Sequence, residues 1–395
     1  MYPQVVMRIL FVADGRSPIA INWISYFVEA GHEVLLASTY PCRPNLGLAS
    51  MRVLPLPFSS PGELGGGGGW GARRWLGVGW RTRARQWLVP LTLARVAQPL
   101  HEMIEHLKPD LVHAMRIPYE GMLAALADPS MPLLVSVWGN DFSLHAKATP
   151  LLRRYTHLVM QRADALHSDC QRDQRLAQVW GFSQDRPRVV LPGAGGVQLD
   201  IFYPREEQSQ QTLTVINPRG FRAYVRNDTF FKAIPRVLQR QPEARFICPA
   251  MQGEAQAERW VREMGIRDSV VLLPRQTRPQ MAELFRRAQI VASITTHDGT
   301  PNSLLEAMAC GCFPITGDIE TIHEWLTPGE NGLLVEPGDP AELAQAILSA
   351  WEQTELRRKA ARINRRLVQE RADYRKVMAQ AERFYQSLVG KVIIN

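Results

Sequence analysis

Residues 297–317, HDGTPNSLLEAMACGCFPITG, hold two carboxylates eight positions apart, Asp298 and Glu306. Gly299, Thr300 and Pro301 separate the first acid from Asn302-Ser303-Leu304-Leu305-Glu306, which reads as the opening turn of a helix. Pro301 disfavours helix at the residue before it, and Ser303 has the chemistry of an N-cap. Two readings of Glu306 follow. Ser303-Leu-Leu-Glu306 fits a capping box, in which Glu306 returns a hydrogen bond to the Ser303 amide. The same helix start also offers unpaired N–H groups and about half a positive charge, a setting for a diphosphate. Glu306 would then accept from the vicinal hydroxyls of a ribose, and Asp298 from a sugar hydroxyl. The two readings are compatible.

A second polar set lies nearer the start. WGNDFSLH, residues 138–145, follows an apolar run, so Asn140 and Asp141 belong at the C-terminal edge of a sheet, where open α/β sheets bind ligands. They are candidate sugar or acceptor contacts, with an Asx-type turn as the alternative. Asp14-Gly15 closes the first strand, and Gly15 either lets a ligand approach the backbone or makes an ordinary turn. His113 ends a strand and reads equally well as a satisfied core histidine. No Asp-x-Asp pair stands ready to hold a divalent metal, so none is expected.

These residues need a scaffold that delivers loop ends to a common edge. Short apolar runs alternating with amphipathic ones supply it, as in a parallel α/β sheet. RILFVA, HEVLLAS, PDLVHAM, PLLVSVWG, ADALHSD and RVVLPGAGG form one series. LTVINP, ARFICPA, SVVLLP, QIVASI, FPITGD and GLLVEPG form another. The reading is two α/β domains, residues 1–203 and 204–372, joined near the polar PREEQSQQT. A last helix, residues 373–395 with its core over 373–388, is expected to pack back on the first domain.

The chain has 395 residues and a formal charge of +8. Five scattered cysteines form no CxxC pair, which suits reduced thiols in a cytosolic protein. No run approaches the ~18 apolar residues of a membrane span. One segment breaks the pattern. Five glycines at 65–69 precede Trp70, Trp75, Trp80 and Trp87, interleaved with Arg73, Arg74, Arg81, Arg83 and Arg85, and no acid occurs between Glu63 and Glu102. The glycines are linker chemistry, with no Lys-Ser/Thr pair of a phosphate loop after them. Rings with cations suit an anionic membrane surface, single-stranded nucleic acid, or a helical hairpin with tryptophans in the core. Nucleic acid is the weakest of the three and is not expected.

Here the residues resemble a known family. DGTPNSLLEAMACGCFPI, followed by HEWLTPGENGLLVEPGDPAELAQAI, is similar to the donor-binding signature of family-4 retaining glycosyltransferases with the GT-B fold. That family's motif has two Glu where this chain has Asp298 and Glu306 at the same spacing. VLPGAGGVQLDIFYP resembles the inter-domain segment, with Gln198 in place of the usual Asp, and NPRGFRAYVRNDTFFKAI the loop carrying two cations for the donor phosphates. SPIAINWISYFVEAGHEV, PDLVHA and VSVWGND match the looser N-terminal pattern, with Trp138 where many relatives carry His.

The resemblance implies two Rossmann-like domains facing a cleft. It implies transfer of a hexosyl unit from a nucleotide-sugar to a hydroxyl acceptor, lipid-linked or polysaccharide, with retention and no metal or other cofactor. Arg219, Arg226 and Asp298 take catalytic roles; Gly299, Thr300, Pro301, Asn302, Ser303, Leu304 and Glu306 bind the donor. Arg226 also reads as a solvated cation beside Asp228. Rival readings are an epimerase of the same fold and a non-catalytic sugar-nucleotide binder. A cytoplasmic protein is expected, peripheral on the inner face of the membrane through residues 65–100.

Overall fold

The computed structural model describes residues 6–57, 85–204 and 212–390. The pentaglycine, Trp70, Trp75, Trp80, Arg73, Arg74, Arg81, Arg83 and most of the expected linker lie outside the described residues. The chain divides into two compact units, Met1–Gly195 with Lys376–Asn395, and Gly196–Arg375. The division therefore falls at 195/196 and 375/376, where the sequence reading placed it at 203/204 and 372/373.

The first unit contains β1 (Arg8–Ala13), β2 (Glu33–Ser38), β3 (Ser50–Val53), β4 (Leu111–Ala114), β5 (Leu133–Val137), β6 (Ala165–Ser168) and β7 (Arg188–Val190). They form one parallel sheet in the order β3-β2-β1-β4-β5-β6-β7. Its helices are α1 (Pro18–Glu29), α2 (Leu93–Leu107), α3 (Met122–Ala127), α4 (Pro150–Arg162) and α5 (Gln171–Val179). Helices cover both faces of such a sheet, which is why its central strands read as unbroken apolar runs. Edge strand β3, SMRV, is half exposed and carries no such run, so the sequence pattern does not reveal it. Helix α1 starts at Pro18 because Ser17 Oγ accepts from Ala20 N–H and Pro18 sits at the first helical position.

The second unit contains β8 (Thr214–Ile216), β9 (Arg245–Cys248), β10 (Val270–Leu272), β11 (Ile290–Ser293), β12 (Phe313–Gly317) and β13 (Leu333–Val335). Its parallel order is β10-β9-β8-β11-β12-β13. The helices are α6 (Asn227–Leu238), α7 (Ala255–Glu263), α8 (Arg278–Arg287), α9 (Asn302–Ala309), α10 (Pro340–Glu352) and α11 (Thr354–Arg371). Each unit thus carries the 3-2-1-4-5 strand order of a Rossmann sheet, whose direction reverses between the first and fourth strands. Loops leaving those two strands meet at the C-terminal edge. In the second unit they carry Arg219 and Asp298.

The final helix, α12 (Tyr374–Leu388), belongs to the first unit from Lys376 onward. It is held there by a directional chain of hydrogen bonds. Trp23 Nε1 can only donate, and does so to the Tyr385 hydroxyl at 2.8 Å. Tyr385 then donates to His113 Nδ1, and His113 Nε2 to Ser136 Oγ at 2.7 Å. Ser136 donates to His167 Nδ1 at 2.7 Å, and His167 Nε2 ends on the Leu191 carbonyl at 2.9 Å. Both histidines are neutral in this scheme. Burial agrees, pushing His113 well below its ordinary value and His167 down to about 4. His113 is therefore a satisfied core histidine.

Candidate active site

In the second unit the loop after β8 folds back along the extension of β11. Val225 bridges Thr295, Arg226 N–H donates to the Ile294 carbonyl, and Thr296 N–H donates to the Tyr224 carbonyl, both at 2.9 Å. From the other side β12 comes so close that a Cβ on Gly317 would lie 2.5 Å from the Thr295 oxygen. This pinning brings Arg219 Nη2 within 2.7 Å of Asp298 Oδ2, with both side chains less than 15% exposed. Arg219 Nε is buried without an acceptor. Two residues separated by 79 positions thus form one polar pair at the sheet edge.

Helix α9 begins two residues earlier than a Ser303 cap would place it. Pro301 is the cap residue and Ser303 already lies in the first turn, with no side-chain cap hydrogen bond. The capping box is therefore not formed: Ser303 Oγ and Asn302 Oδ1 are both buried without partners. The Glu306 carboxyl has no hydrogen-bond partner either among the described residues. Burial pushes it up to about 7, while the charge of Arg278 pulls it back. Three unspent polar groups consequently surround a helix N-terminus whose first N–H groups lack intrahelical acceptors.

Their neighbours are committed. Thr300 Oγ1 accepts from Trp325 Nε1 at 3.1 Å, Leu304 is fully buried, and Pro301 is buried. Gly299 N–H turns to Asp298 Oδ1 at 3.2 Å, and the Asp298 carbonyl accepts from Thr321 Oγ1 at 3.0 Å. These contacts shape the loop, and Pro301 and Leu304 are packed into it. Arg226 donates from Nε and Nη2 to Asp228 at 2.9 and 2.8 Å. That hydrogen bonding holds Asp228 below its usual range. Of the two readings of Arg226, the structure draws the ion pair with Asp228. Arg278, which faces Glu306 electrostatically and donates to Gln198 Oε1 at 3.2 Å, was not a sequence candidate. Its only local signature is the Thr277-to-Gln280 capping box that starts α8.

The candidates of the first unit are largely spent internally. Gly15 is buried, its N–H donates to Ser38 Oγ at 3.1 Å, and a Cβ there would lie 2.4 Å from Cys42 Sγ. Glycine is needed for that packing. Asp141 is fully buried: Oδ1 accepts from Arg116 Nη2 at 2.7 Å, and Oδ2 from the Ile117 and Trp138 amides, each at 3.1 Å. It braces the turn and cannot reach a sugar. Asn140 is half-buried and its Oδ1 accepts from Arg116 Nη2 at 3.3 Å. Trp138 lies under Arg116, its ring centre 5.1 Å from the guanidinium carbon, and its Nε1 is buried without an acceptor.

Among the described residues, Asp169, Cys170 and Asp173 bring three potential metal-ligand atoms within 4.8 Å of one another. Burial pushes the Cys170 thiol far up, and Arg172 already pairs with Asp173 at 2.8 Å, so the group is poorly prepared for a cation. All five cysteines are unpaired.

Comparison with known proteins agrees with this architecture. Residues 19–193 match the model of a glycosyl transferase 4-like domain, and residues 220–353 that of glycosyl transferases group 1. The chain belongs to the glycosyltransferases of the GT-B fold. The Anabaena protein HepE, in complex with UDP and glucose, superposes with a TM-score of 0.72 at 17% identity, covering 96% of this chain and 100% of that one. Sucrose-phosphate synthase from Thermosynechococcus elongatus gives 0.73 at 16% identity, covering 98% and 100%. Both likenesses are of fold. The D-inositol 3-phosphate glycosyltransferase of Kribbella flavida is 26% identical over 257 residues, 60% of this chain and 56% of that protein. The chain thus spans about half the length of the curated relatives it matches.

Proposed function

We propose that the protein moves a hexosyl unit from a nucleotide-sugar to a hydroxyl acceptor with retention of configuration. The observation that carries this reading is the set of unspent polar groups at the start of α9, Asn302, Ser303 and Glu306, beside the Arg219–Asp298 pair. Glu306 accepts from the ribose hydroxyls, and the α9 amides with Arg219 receive the diphosphate. As the bond from the sugar's anomeric carbon to the phosphate oxygen breaks, its electron pair leaves with the phosphate. Arg219 stabilises that charge, work that a divalent cation does in other transferases. The acceptor oxygen attacks the same face of the sugar, and its proton passes to a departing phosphate oxygen. Asp298 holds Arg219 and accepts from a sugar hydroxyl.

We further propose that the protein rests on an anionic membrane surface. Trp87, Leu88 and Leu91 support this: they are 60%, 47% and 69% exposed, next to the Arg-rich stretch. No helix among the described residues is long and apolar enough to cross a membrane.

Incubation with a panel of nucleotide-sugars and hydroxyl acceptors, followed by NMR of the product's anomeric linkage, tests the reaction. Transfer with the donor's configuration is expected. An epimerised donor, or binding of nucleotide-sugar with no turnover on any acceptor, would point to the rival readings.

A further inference from the structure

The transferase reading leaves one polar cluster of the first unit unused. Strands β2, β1, β4 and β5 are neighbours, and the segments leaving their C-terminal ends carry Tyr40, Arg16, Arg116 with Tyr119, and Trp138. Arg85 joins them from the residues ahead of α2. Its guanidinium carbon lies 4.9 Å from the ring centres of both Tyr40 and Tyr119. Arg16 lies 3.5 Å from the same Tyr40 ring. Ring faces attract these cations but offer no acceptor to the N–H groups in the guanidinium plane.

The three arginines differ in what occupies those N–H groups. Arg16 donates from Nε and Nη2 to the Asp14 carboxylate at 3.1 and 3.2 Å. Arg116 gives Nη2 to Asp141, yet its Nε is buried without an acceptor. Arg85 has no ion pair or hydrogen bond among the described residues, and its Nε too is buried without an acceptor. Glu120 is the acid that Arg85 feels electrostatically, but its oxygens are taken. Oε1 accepts from the Thr39 hydroxyl at 2.6 Å and Oε2 from the Tyr119 amide at 2.8 Å, in a residue only 2% exposed.

His145 adds a neutral donor. Gln86 Nε2 donates to His145 Nδ1 at 3.3 Å, so the ring proton sits on Nε2. Burial and the charges of Arg116 and Arg85 push this histidine down to about 3.

We propose that Arg85, with Arg116 and His145, receives a phosphate group carried by the acceptor. Arg85 contributes an uncommitted charge and paired N–H donors, Arg116 its Nε–H, and His145 its Nε2–H. Donors from three side chains suit a tetrahedral oxyanion better than a planar carboxylate, and a guanidinium can meet two phosphate oxygens at once. The word acceptor rests on the transferase reading; the anion site does not. The phosphate belongs either to a soluble ester or to a lipid headgroup.

Calorimetric titration distinguishes these sources. With a nucleoside diphosphate saturating the second unit, inorganic phosphate and glycerol 3-phosphate are titrated into wild type, Arg85→Gln and Arg85→Lys. Vesicles containing phosphatidic acid form a parallel arm. The expected result is at least about tenfold weaker phosphate binding in Arg85→Gln, partial retention in Arg85→Lys, and unchanged nucleotide affinity. Binding of glycerol 3-phosphate assigns a soluble acceptor; binding confined to the vesicles assigns a lipid. Equal binding by Arg85→Gln, or no binding of either kind by wild type, overturns the site. Failure of Arg85→Gln to fold also counts against it, because a cation kept for a ligand is dispensable to the empty fold. If phosphate binds through Arg85 while no nucleotide binds the wild type, the transferase reading fails and the anion site stands.

Discussion

Asp141 and Glu306 are acids near the C-terminal edges of two sheets with the same strand order, and their surroundings differ sharply. Asp141 accepts three hydrogen bonds, two from backbone amides and one from a guanidinium. Glu306 accepts none from the described residues, and its helix leaves Asn302 and Ser303 without partners as well. A polar group that has spent its capacity holds the fold. One buried with its capacity intact costs stability, roughly 1–3 kcal/mol per unsatisfied group, and persists where a ligand can satisfy it. Proximity to a sheet edge does not separate the two cases; hydrogen-bond accounting does.

The largest effect expected from this contrast is at Arg219. Arg219→Ala should lower turnover about 10²–10³-fold, the usual cost of removing one donor to a developing anion. Arg226→Ala should cost distinctly less, because Arg226 is already engaged by Asp228. EDTA should leave the rate unchanged. Equal losses at both arginines would mean that Arg226 exchanges Asp228 for the substrate during the reaction, and activity restored by magnesium after chelation would replace the arginines by a metal. Steady-state kinetics with saturating donor decides among these.

Asp141→Ala tests the opposite pole. It strands Arg116, whose side chain is 25% exposed, without its ion pair. Breaking a buried pair costs about 3–5 kcal/mol, and the partial exposure of Arg116 places this one near the lower end. Chemical denaturation should therefore show a loss of about 3 kcal/mol, with donor affinity unchanged in protein that remains folded. A variant of undiminished stability that has lost acceptor binding would return Asp141 to the site.

How much of this was legible beforehand differs between the regions for a physical reason. The strands of both sheets apart from β3, and the Asp298–Glu306 loop, follow from apolar runs and motif spacing, which are local; the strand order does not. The capping box was misread because Ser303-x-x-Glu306 fits it on spacing, while Pro301 sets the helix start two residues earlier. Arg219 and Asp298 came singly from resemblance; their pairing was not foreseen, because the bridge of Val225 to Thr295 that creates it is non-local. For Arg278, Arg85 and His145 no motif records the partners that give them their places. Each matters through partners made or not made across the fold, and a single sequence does not record unfilled hydrogen bonds.

Glu306 offers a test with a definite pH sign. Its carboxyl titrates at about 7 in the folded chain, above the ordinary 4.5, so the fold favours the protonated form. The contribution of Glu306 to the stability of the ligand-free protein should be greatest below about 4.5 and fall as pH rises toward 7, because the folded state then holds a proton that the unfolded chain has released. Glu306→Gln removes that loss and should melt at or above wild type at pH 8. Nucleotide-sugar binding has the opposite slope. Ribose hydroxyls donate to the carboxylate, so wild-type affinity should weaken as pH falls through about 7. Glu306→Gln should bind about tenfold more weakly at pH 8, roughly 1.4 kcal/mol, with no inflection. Calorimetry at several pH values measures both; a flat wild-type profile would remove Glu306 from the donor site.

The smallest effects belong to the proposed membrane contact, where no single residue dominates. Residues 65–100 contain six Arg and no acid, a local +6 within a chain of +8. Near an anionic surface each basic side chain contributes up to about 1 kcal/mol, and Trp favours the headgroup level. Single Arg73→Ser or Arg81→Ser replacements should therefore reduce binding to anionic vesicles by at most about fivefold. Joint replacement of Arg73, Arg74, Arg81 and Arg83 should abolish it, with Arg85 left in place so that the anion site stays intact. Trp87→Ser with Leu91→Ser should weaken binding in a way that salt does not mimic, since their contribution is apolar, whereas the arginine contribution is screened. Co-sedimentation with neutral and anionic vesicles at two salt concentrations separates the terms. Recovery in the supernatant with every vesicle type would leave Trp87, Leu88 and Leu91 as an exposed face with another use, and would confine the site's chemistry to soluble acceptors.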